Sequence, residues 1–174
     1  MNPLNAAERM FEQRSGDPSV SALKQDDARQ CIEVLRAVRG MANQLGAFDF
    51  EAAPVRQSKL NIGGVEVSVR ADLLVMGRGR GEDQIGTAIL RMTQDDAATD
   101  EARAKRREMG LCVATLARMH LDQNLATNRT PTNRLCMSID LQHGEVFTAP
   151  NSNTRRMNDI TAACQTIAAL WETA

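Results

Sequence analysis

The spacing of apolar residues changes near Val55, and the elements follow from the change. Ahead of it, Cys31, Val34, Leu35, Val38, Met41, Ala42 and Leu45 recur at helical spacing, predicting one amphipathic helix that Gly46 stops. Asp27 with Gln30 three residues on predicts a capping-box-like start, with Asp in place of Ser/Thr. Residues 1–25 read as a polar N-terminal extension with a short helix near Ala6–Arg14, ended by "SGDPS". Beyond Val55, a Gly63-Gly64 turn separates "VRQSKLNI" from "VEVSVRADLLVM", where Val65, Val67 and Val69 alternate with Glu66, Ser68 and Arg70. Alternation of this kind predicts strands. From Ala71 the run is apolar on both faces except for Asp72, as in a strand entering the middle of a covered sheet.

"GRGRG" at 77–81 raises the question of a phosphate cradle. Such a cradle opens a helix whose first N–H groups face the anion. Here the next segment, "QIGTAILRMT", is strand-like, and no Lys-Ser/Thr follows. A hairpin loop using the conformational freedom of glycine is the expectation, with Arg78 and Arg80 at its tip. Helical spacing returns in residues 97–123, where Met109, Cys112, Val113, Leu116 and His120 share a stripe. "RLCMSIDLQHGEVFTA" then predicts two strands about a His143-Gly144 turn. Ile160, Ala163, Cys164, Ile167, Leu170 and Trp171 mark a closing helix. The whole is one α+β domain over 1–174: a central mixed sheet containing 65–76 and 85–93, flanked by helices. Its order is helix, three strands, long helix, two strands, helix.

Composition narrows the function. Twenty-one basic and 22 acidic residues give a net charge of −1, so a globally basic nucleic-acid binder is not indicated. Four Phe, one Trp and no Tyr make a base-stacking platform a poor expectation. The four cysteines form no CxxC pair, and three sit on apolar stripes or in a strand, so they read as core residues rather than zinc ligands. No apolar run approaches a membrane span. A cytoplasmic, reduced protein without membrane contact is expected. Arg103, Lys105, Arg106 and Arg107 interleave with Asp100, Glu101 and Glu108 as a solvated helix face. Were Arg78, Arg80, Arg103, Arg106 and Arg107 to point one way, they would form a phosphate-tracking surface.

Asp72 is the leading candidate for chemistry. A buried carboxylate without partners costs several kcal/mol, so a cation, a hydrogen-bond donor or solvent is expected beside it. Its ordinary role would be a pair with Arg70 or Arg91, or a strand end in water. His120 is expected to be a satisfied, partly buried residue and His143 an exposed turn side chain. Asp140, alternating with Ser138 and Cys136, is expected to face solvent.

"VEVSVRADLLV", the hairpin, "IGTAILRMT" and the following helix and strand pair resemble the core of the PD-(D/E)XK nuclease-like superfamily, over roughly residues 26–148. "GTAILRMT" and "ITAACQTIAALWET" are similar to small uncharacterised bacterial proteins with the same core. The resemblance implies a restriction-endonuclease-like core in which Asp72 takes the first acidic position. The Asp/Glu-x-Lys motif is broken: Ile89 stands for the acid and Arg91 for the lysine. Arginine stays protonated and is a poor proton acceptor. Asp72 and Arg91 are therefore the catalytic candidates, with no metal expected, and Mg²⁺ only if the chain is active. The leading expectation is a catalytically inactive nuclease-like module, in a mobile-element or defence setting, that binds a protein more readily than nucleic acid. The alternatives are a Mg²⁺-dependent nuclease with migrated ligands, or a structural homodimer packing spare apolar helix faces.

Overall fold

The computed structural model describes residues 3–79, 81–92, 98–125 and 128–171. Helix α1 (Pro3–Gly16) and helix α2 (Ala22–Gly40) form a helical hairpin. The first 25 residues are thus not merely a polar extension. Arg36 and Arg39 of α2 reach Glu8 of α1 at 3.2 and 2.7 Å, and Arg39, then Arg36, holds the Glu8 carboxyl below its ordinary value. Ser21 rather than Asp27 precedes the first turn of α2, so Asp27 is an exposed interior residue and not a cap. A short helix α3 (Ala42–Leu45) ends at Gly46.

The main sheet runs β1 (Asp49–Ala52), β4 (Leu73–Arg78), β5 (Asp83–Arg91), β7 (Met137–Asp140), β8 (Glu145–Thr148). Neighbours are antiparallel except β5 and β7, which are parallel and joined through helix α4 (Asp100–Asn124). A two-residue strand, β6 (Thr130–Pro131), also pairs with β5. A central mixed sheet flanked by helices is therefore present. The strand expected over 65–76 is broken, however. β2 (Leu60–Ile62) and β3 (Val65–Val67) form a separate hairpin, and only 73–78 lies in the main sheet.

The break has a visible cause. The side-chain amide of Gln57 accepts from the Ala71 N–H at 2.9 Å and donates to the Ala71 carbonyl at 2.8 Å, as a neighbouring strand would. Ala71 thus satisfies its backbone off the sheet, and the chain turns away. Gly63 (φ +56°) lets the β2–β3 turn press onto helix α5 (Thr154–Trp171): a Cβ there would sit 2.8 Å from Gln165 Cγ and 3.1 Å from the Thr161 carbonyl oxygen.

Two faces of the sheet are covered differently. Val75, Ala88, Met137, Ile139 and Leu141 pack under α2 around Met41. On the other face α4 presents small residues, Gly110, Ala114 and Ala117, which let it lie close to the strands. Its larger Leu116 and Met119 turn outward to Leu60, Ile62, Val69 and Cys164, making a second core beneath β2–β3 and α5. Met109, expected on the buried stripe, is exposed. The stripe on α5 is also largely exposed, with only Cys164 buried. All four cysteines are free; burial pushes the Cys136 thiol up to about 11, while Cys31 and Cys112 are partly exposed.

His120 is fully buried in a polar chain that ties α4 to residues 57–59. Its Nε2 lies 2.8 Å from Gln57 Oε1, and its Nδ1 lies 3.1 Å from Asn124 Nδ2. Asn124 Nδ2 also donates to the Ser58 and Lys59 carbonyls. This network suits neutral imidazole with its proton on Nε2, and burial holds His120 below its ordinary value. The unfolded chain then takes up the proton more readily, so stability is full above about pH 6.5 and is lost as pH falls through that value. We expect unfolding free energy to drop by up to about 1.4 kcal/mol per pH unit below it on this account. Urea melts between neutral and mildly acidic pH check this: His120→Gln should flatten the slope, and an unchanged slope would refute the assignment.

Candidate functional site

Asp72 stands immediately before β4, and the antiparallel register of Leu73 with Ala88 sets it beside the end of β5. It is exposed, at a strand end in water. Its backbone remains in the ladder, donating to the Ala88 carbonyl and accepting from the Ala53 N–H. Its carboxylate Oδ2 accepts from the Leu90 N–H at 2.8 Å. The chain has left the sheet at Ala71, so the side chain supplies the acceptor that the next residue of a strand would have provided.

Arg91 lies one residue further along β5, on the α4 side. Its register partner in β7 is Asp140, and Nη2 donates to Asp140 Oδ2 at 2.7 Å. Arg91 is 8% exposed and Asp140 0%, so the pair is inside the protein. Asp140 does not face solvent as alternation suggested, because α4 and β8 cover this side of the sheet. Its second oxygen, Oδ1, accepts from the Gln142 and His143 N–H groups at 3.2 and 3.1 Å and lies 3.1 Å from His143 Nδ1. His143 is accordingly drawn in against the turn rather than left exposed. The face of the Arg91 guanidinium lies 5.9 Å from the centre of the Phe147 ring, a cation–π arrangement. Phe147 in turn fits against α4 where Gly110 leaves room: a Cβ there would be 2.2 Å from the ring.

Asp72 and Arg91 are thus neighbours in sequence register but face different surroundings, and neither pairs with the other. Glu82 and Asp83 belong to the far end of the β4–β5 hairpin: Asp83 is opposite Arg78, and Gly79 N–H bonds to the Glu82 carbonyl across the loop. The glycine-arginine stretch is therefore a hairpin connection. Arg78 is exposed there, and Arg80 lies outside the described residues. Of the helical arginines, Arg103 pairs with Asp100 and Arg107 is exposed. Arg106 is buried on the face of α4 that carries Gly110 and Ala114, so it cannot join a surface with Arg103 and Arg107. Among the described residues, no three His, Cys, Asp or Glu side chains group as metal ligands would.

Sequence reasoning missed the largest concave feature. A half-open apolar groove of about 630 Å³ lies between α1–α3 and the sheet. Phe48, Phe50, Leu73, Leu90 and Ile139 line its floor and walls, and Arg39 and Asn5 are the polar residues beside them. Its volume is within the range of small-molecule and peptide-side-chain sites. The signal in the sequence was "AFDF" at 47–50, which follows Gly46 and forms β1 with Phe48 just ahead of it. Among the described residues, no helix is long and apolar enough to cross a membrane. Comparison with protein-family models, curated proteins and solved structures found no match.

Proposed function

We propose that this chain is a catalytically silent, nuclease-like binding module that engages a protein rather than nucleic acid. The observation that carries the proposal is the Arg91–Asp140 pair. The residue at the lysine position is committed to a buried carboxylate, and an arginine so placed neither accepts a proton nor reaches a substrate. The carboxylate at the first acidic position already accepts a backbone N–H. One exposed carboxylate does not make the multi-oxygen site that Mg²⁺ needs, so the residues at this corner do not fit that ion. A protein partner is favoured by the apolar groove, whose exposed phenylalanine and leucine side chains suit apolar side chains and offer phosphates little beyond Arg39.

Two measurements test this. Supercoiled plasmid, single-stranded DNA and RNA should stay intact across a Mg²⁺ titration; cleavage that needs Mg²⁺ and vanishes in Asp72→Ala would overturn the silent-module reading. The groove should bind an apolar fluorescent dye saturably. Ala42→Trp, at an exposed position on its wall, should weaken dye binding severalfold at an unchanged melting temperature. Dye binding indifferent to that change would remove the groove as the docking surface.

A further inference from the structure

We infer that two copies of this chain pair through the second half of α5. Residues 160–171 contain no charged side chain, yet much of this stretch faces solvent: Ile167 is 50% exposed and Trp171 81%. Beside Trp171 lies a hollow of about 400 Å³, lined by Gly64, Val65, Ile167, Ala168 and Trp171 itself. The hollow exists because the β2–β3 turn meets the helix through a residue without a side chain, Gly64, opposite the short Ala168.

A second copy is the occupant that this surface suits. A two-fold interface joins a patch to itself, so the patch must carry both a projection and a place to receive it. Trp171 is the projection and the Gly64–Ala168 hollow is the place, side by side on one face. A two-fold axis also brings like charges together, and a stretch with none avoids that repulsion. Nucleic acid would find no cation within the run. Twelve helical residues span about 18 Å, which is at the small end of protein interfaces. The dimer is therefore a weak one, with a Kd of about 10–100 µM. This inference is independent of the groove, and its failure leaves the proposed function standing.

The chain has one Trp and no Tyr, so its indole fluorescence reports on this interface alone. Sedimentation velocity across about a hundredfold concentration range around that Kd should move from one-chain to two-chain mass. The Trp171 emission should shift to shorter wavelength over the same range. Ile167→Glu, at a half-exposed position that keeps the fold, should hold the protein at one-chain mass with red-shifted emission throughout. Val55→Glu, at an exposed apolar residue elsewhere, should behave as the parent. One-chain mass at the highest concentration, or association that survives Ile167→Glu, would overturn the proposal. So would association without any change in Trp171 emission, which would indicate a second protein-docking face such as the groove.

Discussion

Asp140→Ala should lower the melting temperature by roughly 6–20 °C. Removing one member of a buried ion pair typically costs about 3–5 kcal/mol, because the remaining charge stays buried without compensation. A domain of this size loses about 2–4 °C per kcal/mol. Here the change strands the Arg91 guanidinium and also releases the Gln142 and His143 N–H groups that the carboxylate accepts. The effect should be non-additive. Arg91→Met combined with Asp140→Leu leaves no buried charge and should recover much of the loss, as volume-matched apolar replacements of buried pairs often do. Asp140→Asn, which keeps acceptors for the turn, should fall between. Thermal melts of the four proteins decide it: a loss below about 1 kcal/mol in Asp140→Ala would show that the pair is solvated and exchangeable.

Gly86→Ala should be at least as damaging, for a reason that no neighbouring substitution relieves. A Cβ at Gly86 would lie 2.1 Å from both the carbonyl carbon and oxygen of Leu135, in the short 3₁₀ turn Asn133–Leu135 that leads into β7. That obstacle is backbone, so β5 and the turn must separate, disturbing the pairing of β5 with β6 and β7. Overpacking a core usually costs about 1–3 kcal/mol, and the loss here should be above that range. Gly110→Ala provides the contrast, since its obstacle is the Phe147 ring. Phe147→Leu should rescue Gly110→Ala in part, whereas Leu135→Ala should do nothing for Gly86→Ala. Denaturant midpoints for these pairs test the distinction, and rescue of Gly86→Ala by Leu135→Ala would refute it.

The element order was legible from residue 22 onward because period and glycine punctuation both spoke clearly there. β4, β5, α4, β7, β8 and α5 all fall where spacing places them. The split between β3 and β4 was not legible, since alternation continues through Val69 and the agent of the split is the Gln57 side chain, 14 residues distant. Burial on α4 was misread because large apolar residues signal a core in one dimension, whereas close helix–sheet packing selects Gly110, Ala114 and Ala117. At the candidate site, the anomaly of Asp72 was visible and its answer, the Leu90 N–H, was not. The partner of Arg91 lies 49 residues away, and alternation alone gave Asp140 the correct face with the wrong surroundings.

The strand order also bears on how the protein behaves when crowded. The outermost strands, β1 and β8, are four residues each, and they carry Asp49 and Glu51 at one margin and Glu145 at the other. Short margins with like charge resist sheet-to-sheet growth between molecules. Filament formation by strand addition is disfavoured, and self-association is channelled to the helical surfaces.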